Sequence, residues 1–180
     1  MYKRQGHNRW SKIKHKKTAT DAQKSKVFGK IAQLLTVEAK RCGGDRNSPG
    51  LKAIIEKAKS INMPAQNITR AIERGDSDTT ALEKVTYEAY GPGGCALLIE
   101  TVTDNKNRTA AEIRHTLSKH GISMGAQGSA VWMFTVKNNT ITPKTTVHLT
   151  EEDEEKLTTI ISDLMDQEDT QEVHTNKSAI

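Results

Sequence analysis

Apolar residues recur along this chain with two different periods, and the change falls near residue 80 of 180. In the first stretch Val27, Phe28, Ile31, Leu34 and Leu35 fall at i, i+1, i+4, i+7 and i+8, one face of a helix. Thr20-Asp21-Ala22-Gln23 has the Thr-x-x-Gln form of a capping box, which predicts the helix start at Thr20. Gly43-Gly44 ends it. A second helix carries Leu51, Ile54, Ile55 and Ala58, and a third begins at Pro64, carries Ile68, Ala71 and Ile72, and stops at Gly75. Three short amphipathic helices can share one small core.

Beyond the polar run Gly75–Thr80, which reads as a linker, the period drops to two. Val85, Tyr87 and Ala89 alternate with polar residues, as in a half-buried strand. Gly91-Pro92-Gly93-Gly94 turns the chain into Cys95–Val102, apolar enough for a central strand. Thr109-x-x-Glu112 opens a helix with Ile113 and Leu117 inward, closed by Gly121. Ala130, Trp132, Phe134 and Val136 alternate again, a strand follows near Thr145–Leu149, Thr150-x-x-Asp153 caps a helix, and Thr170–Thr175 fits a last strand. The pattern predicts an α+β protein: a basic arm over 1–19, a three-helix bundle over 20–76, and a ferredoxin-like βαββαβ domain with an extra leading strand over 77–180.

Charge divides along the same line. Residues 1–75 hold 18 of the 27 Lys and Arg and 5 of the 22 Asp and Glu, a net of +13, whereas residues 76–180 carry a net of −8. Ten bases between Lys3 and Lys30 face one acid, Asp21. A polyanion that neutralises such a cluster gains free energy by releasing condensed counterions, so a nucleic acid is the expected partner. Arg9, Lys12, Lys14, Lys16, Lys17, Lys24 and Lys26 are the expected phosphate contacts, with His15 able to stack on a base. Trp10 either stacks likewise or packs against the bundle. A secondary contact is expected at Tyr90, Asn105, Lys106 and Arg108. The alternative for Asp104–Thr109 is ordinary turn and cap chemistry.

Enzyme chemistry finds little support. The sequence has no HExxH and no CxxC, and His115 and His120 are five apart rather than four. Glu151–Glu155 opens a helix, where acids favour the dipole without a catalytic role. No catalytic residue, metal, cofactor or small-molecule substrate is expected. Two separated cysteines, Cys42 and Cys95, fit a reducing compartment, and no apolar run reaches membrane-span length. The expected location is the cytoplasm, without membrane contact.

Gly6-His7-x-x-Trp10-x-x-Ile13-Lys14-His15-Lys16-Lys17, followed by Asp21-Ala22 and Lys24, resembles the opening of the YebC/PmpR-like proteins, relatives of the mitochondrial cytochrome oxidase translational activator. So do Ala53-Ile54-x-Glu56-Lys57-Ala58-Lys59, Asn62-Met63-Pro64, Tyr90–Gly94, Thr103–Thr109 and Pro143-Lys144-Thr145. The resemblance implies a non-enzymatic nucleic-acid binder: a DNA-binding transcriptional regulator or, as the alternative, a ribosome-associated translation factor on ribosomal RNA. Two departures stand out. Asn8 and Arg9 replace the Ser and Lys expected there, and Val136–Thr140 runs straight into the Pro-Lys-Thr segment. There the family usually inserts a third, acidic domain, which is expected to be absent near 137–140.

Overall fold

A computed structural model describes residues 7–77, 81–137 and 140–178, with side chains described from Gln23 onward. The first helix, α1, runs from His7 to Cys42, 36 residues in one piece. Thr20 therefore lies inside a helix and not at its start. A capping box is a local signal, and no Gly or Pro occurs between His7 and Phe28 to enforce it. The Lys, Arg and Ala of that stretch propagate a helix readily once one exists. At the other end Gly43 and Gly44 take positive φ, and the Gly44 amide donates to Ala39 O at 2.9 Å.

Helix α2 (Pro49–Ser60) is capped by Ser48, whose side chain accepts from the Leu51 amide, and α3 (Ala65–Asp76) follows Pro64. Ile31, Leu35 and Ala39 of α1 meet Leu51 and Ala58 of α2 and Ile68, Ala71 and Ile72 of α3 in one core. The expectation that Gly75 stops the third helix does not hold: it lies within α3 and is buried. A Cβ at Gly75 would stand 2.2 Å from Thr36 O and 2.8 Å from Ala39 Cβ, so the missing side chain lets α1 and α3 touch backbone to backbone. Thr36 Oγ1 donates to Ala71 O across the same contact at 3.0 Å.

The second region runs β1 (Glu83–Tyr90), β2 (Ala96–Thr103), α4 (Lys106–Lys119), β3 (Phe134–Lys137), β4 (Thr140–Pro143), α5 (Glu151–Met165) and β5 (Thr170–Thr175). That chain order is the predicted one, and the fold is α+β with the helices first. β2 is central, antiparallel to β1 on one side and to β5 on the other. Leu97 and Ile99 pack against Ile113 and Leu117 of α4 and Leu157, Ile160 and Leu164 of α5. Ala96 and Leu98, on the opposite face, pack against Ala130 and Phe134.

Pairing departs from the ferredoxin-like expectation. β3 and β4 form a separate two-stranded ladder, and β1 occupies the place beside β2 that an inner strand would take. The strand predicted near Thr145–Leu149 does not form. Val147 makes one isolated parallel bridge to Lys177, while β4 comes earlier and pairs Phe134 with Pro143. Pro143 sits opposite Phe134, where its missing amide costs no bond, and the Lys144 amide donates across to Met133 O at 2.7 Å. The alternation around Trp132 also misleads: Val131–Met133 is one turn of 3-10 helix that leaves Trp132 57% exposed. Helix α4 begins at Lys106, capped by Asn105, one turn before the Thr109 start that the sequence suggested.

Gly75→Ala should lower unfolding free energy by about 1–3 kcal/mol, because the added methyl overpacks a backbone contact that cannot yield locally. Urea denaturation checks this; a change below about 0.5 kcal/mol would mean that the two helices separate freely.

Candidate nucleic-acid interface

The backbone of Arg9, Trp10, Lys12, Lys14, His15, Lys16 and Lys17 belongs to α1, and their side chains lie outside the described residues. Lys24 is exposed. Lys26 is not free for a ligand: its Nζ pairs with Asp166 Oδ1 at 2.9 Å. One turn on, Lys30 Nζ donates to Met165 O at 2.6 Å, and the Gln171 side-chain amide donates to Gln33 Oε1 at 2.7 Å. Two α1 lysines thus meet the C-terminal end of α5, where unpaired carbonyls and Asp166 concentrate negative charge. The Lys26 hydrogen bond holds Asp166 below the usual carboxylate range. Burial and the neighbouring Lys26 hold Lys30 below the ordinary lysine value, with Asp166 opposing them.

The four secondary candidates hold structure together. Asn105 caps α4 by accepting from the Arg108 amide at 3.1 Å. Lys106 Nζ pairs with Glu83 Oε2 at 2.9 Å, and the Tyr90 hydroxyl donates to Ser129 O. Arg108 Nη2 reaches Asp104 at 3.0 Å and Asp169 at 2.9 Å. Asp169 is buried at the start of β5 and also accepts from Thr109 Oγ1 at 2.6 Å. Thr103, at the end of β2, lies 2.8 Å from that hydroxyl. The turn-and-cap alternative describes Asp104–Thr109, and the motif ties β2, α4 and β5 into one hydrogen-bonded knot. Burial alone would raise the Asp169 carboxyl, but hydrogen bonds from Thr109, Arg108 and Thr103 outweigh it and hold the group below the ordinary aspartate range.

Sequence reasoning missed three buried carboxylates, Asp169, Glu88 and Glu38, the last of which accepts from Arg41 on α1. Glu88 accepts from the amides of Gly128, Ala130 and Val131 at 2.7, 2.6 and 2.9 Å, fixing the loop before β3. These bonds overcome burial and lower its pKa. The available signal was an acid in an alternating strand, which reads the same whether solvated or buried. Among the described residues Glu100, Glu172 and His174 bring possible metal-ligand atoms within 4.8 Å of one another. His174 Nε2 already lies 2.9 Å from Glu100 Oε2, and Lys84 and Lys57 supply further counter-charge. The Cys95 thiol is buried and pushed up by that burial, which leaves it unreactive. No helix among the described residues is long and apolar enough to cross a membrane.

Residues 8–78 match the family model described as TACO1/YebC protein N-terminal domain, and residues 82–139 match TACO1/YebC second and third domain. The chain belongs to the TACO1/YebC family. A relative from Dictyoglomus turgidum, named a probable transcriptional regulatory protein, is 46% identical over 164 residues, covering 89% of this chain and 63% of the relative. One of the same name from Desulfosudis oleivorans is 51% identical over 135 residues, covering 73% and 55%. The chain therefore spans about six-tenths of the length of the TACO1/YebC relatives it matches. Among solved structures, a conserved hypothetical protein, Aq1575, from Aquifex aeolicus superposes with a TM-score of 0.79 at 27% identity, covering 88% of this chain and 91% of that one.

Asp169→Ala should cost about 1–3 kcal/mol, because it leaves the Thr109 hydroxyl and the knot around it without their acceptor. The pH dependence follows from the lowered folded pKa. Asp169 contributes fully above the unfolded aspartate value near 4 and loses its contribution as pH falls through the lower folded value. Acid unfolding of Asp169→Ala, followed by circular dichroism, should be correspondingly shallower below pH 4. An acid limb identical to that of the parent would show that another carboxylate dominates.

Proposed function

We propose that this chain is a non-enzymatic, DNA-binding regulator of transcription that grips the phosphate backbone through the basic N-terminal part of α1. The observation that carries the reading is the division of charge, +13 over residues 1–75 against −8 over the rest. Seven expected contacts, Arg9, Trp10, Lys12, Lys14, His15, Lys16 and Lys17, fall on the first three turns of one helix, and Lys24 extends the same element. The name shared by its relatives, probable transcriptional regulatory protein, supports a role in gene expression. The reading places the protein in the cytoplasm and includes the absence of the third family domain near 137–140. The family match ends at residue 139, and β3 and β4 flank that point directly.

A Lys-rich helix without a recognisable helix-turn-helix grips backbone and shape more than base edges. The alternative, a translation factor on ribosomal RNA, uses the same lysines. Affinity for duplex DNA and for a structured RNA of equal length, measured at one salt concentration, separates the two. Tighter binding to the RNA by tenfold or more would replace the first reading by the second.

Replacing Lys12, Lys14, Lys16 and Lys17 with Ala should weaken binding to every sequence alike and flatten its salt dependence. If all four contact phosphates, they account for roughly two decades of affinity loss in the parent between 50 and 200 mM salt. Unchanged affinity in the quadruple variant would remove the site from α1.

A further inference from the structure

A cleft of about 780 Å³ lies between α1 and α3, apart from the Lys12–Lys17 segment. Asn67, Arg70 and Arg74 form one wall at i, i+3 and i+7, a single stripe along α3. Both arginines are exposed, and among the described residues neither guanidinium enters an ion pair or hydrogen bond. Two cations at i, i+4 on one helix face repel each other. Arg74, in the last turn, recovers some of this from the helix dipole, but Arg70 is too far from the helix end to do so. Lys26 and Lys30 line the α1 wall, their ammonium groups already bonded at the end of α5, and among the described residues Glu168 is the one acid that lines the cleft. The unmet chemistry is that of an anion with two or more oxygens, for which paired guanidinium groups have the matching geometry.

Part of the remaining surface is apolar. Phe28, Ala32, Met63 and Ala71 form it, with Met63 and Ala71 buried and Phe28 partly so. Gly29 sits on the same wall, exposed, in the middle of a 36-residue helix. A Cβ at Gly29 would meet nothing within 4 Å. Glycine inside a helix is destabilising relative to alanine, and packing gives no reason for it here, unlike at Gly75. Its effect is to keep the cleft open. The cleft volume falls within the roughly 300–1,000 Å³ of sites that enclose a small organic group.

We propose that this cleft seats one unpaired nucleotide of the bound strand, its phosphate between Arg70 and Arg74 and its base against Phe28 and Met63. The inference rests on the nucleic-acid reading above and adds to it a preference for single-stranded or opened segments. A base in a duplex is stacked and paired, so the apolar surface is out of its reach, whereas a free base covers that surface and leaves water. The side-chain amide of Asn67 and the Nε2 of Gln33, whose Oε1 already accepts from Gln171, line the cleft where a base edge would lie.

The test uses the full chain and three probes of about 20 nucleotides: a single-stranded DNA, an RNA of the same sequence, and the DNA duplex. Arg70→Ala with Arg74→Ala should weaken both single strands about tenfold and change the duplex by less than threefold. Gly29→Gln should fill the cleft, leave the thermal midpoint equal or higher, and weaken the single strands about fivefold. That combination separates a blocked site from a damaged fold. Single-strand affinity unchanged within twofold in both variants overturns the proposal, as does an equal loss on the duplex. A 5′-mononucleotide that raises the thermal midpoint as much as the oligonucleotide, at equal nucleotide concentration, would make the occupant a free nucleotide and overturns it too. If the parent binds none of the three probes, the nucleic-acid reading itself falls, which is a distinct result.

Discussion

Starting a helix fixes several residues for its first hydrogen bond, while extending one adds a bond for each residue fixed, so the charged part of α1 takes helical form as an extension of its packed part. Ile31, Leu35 and Ala39 anchor that packed part. Their grip on α3 depends on the absence of a side chain at Gly75, where the backbones meet. An isolated stretch as rich in lysine as residues 9–17 repels itself and gains no burial. Joined to a buried half, its backbone continues the same helix. Everything proposed about anion binding on this side of the molecule follows from that single packed contact.

The same helix also connects the two oppositely charged regions. Lys26 and Lys30 reach the end of α5, where Asp166 and the Met165 carbonyl stand. These are exposed or half-buried contacts, weak in free energy and sensitive to salt. Their value is orientation. They bring the end of α5 to the margin of the α1–α3 cleft. An anion entering the cleft meets guanidinium groups on α3 that are not already committed, whereas the α1 lysines nearest α5 are.

Much of the fold was legible because its signals are periodic. The stripe Val27–Leu35, the glycine pair at 43–44, the Thr150 cap and the apolar run of β2 each report an element that forms. What could not be read was partnership. Alternation marks Phe134 and Val136 as strand residues, but nothing local says that β3 pairs with β4 rather than with β2. The choice is made by Ala130 and Phe134 packing on Ala96 and Leu98, a contact between distant segments. The partners of candidate site residues could not be read for a related reason. Lys26, Lys106 and Arg108 look like free cations in sequence, and their carboxylates, Asp166, Glu83 and Asp169, lie far along the chain. Arg70 and Arg74 went unremarked because two arginines on a short helix read as an ordinary solvated face until the cleft they line is seen.

The separate β3–β4 ladder has a consequence for how chains of this kind can vary. Because the three-stranded sheet closes through β1, β2 and β5 alone, lengthening the connection between Lys137 and Thr140 breaks no bond of that sheet. Loop closure costs only about 0.6 kcal/mol for each doubling of length, and a folded insert whose ends lie close together costs less than its residue count implies. The hairpin is therefore a graft point. A longer connection there would leave the buried knot around Asp169 and the packed part of α1 as they are.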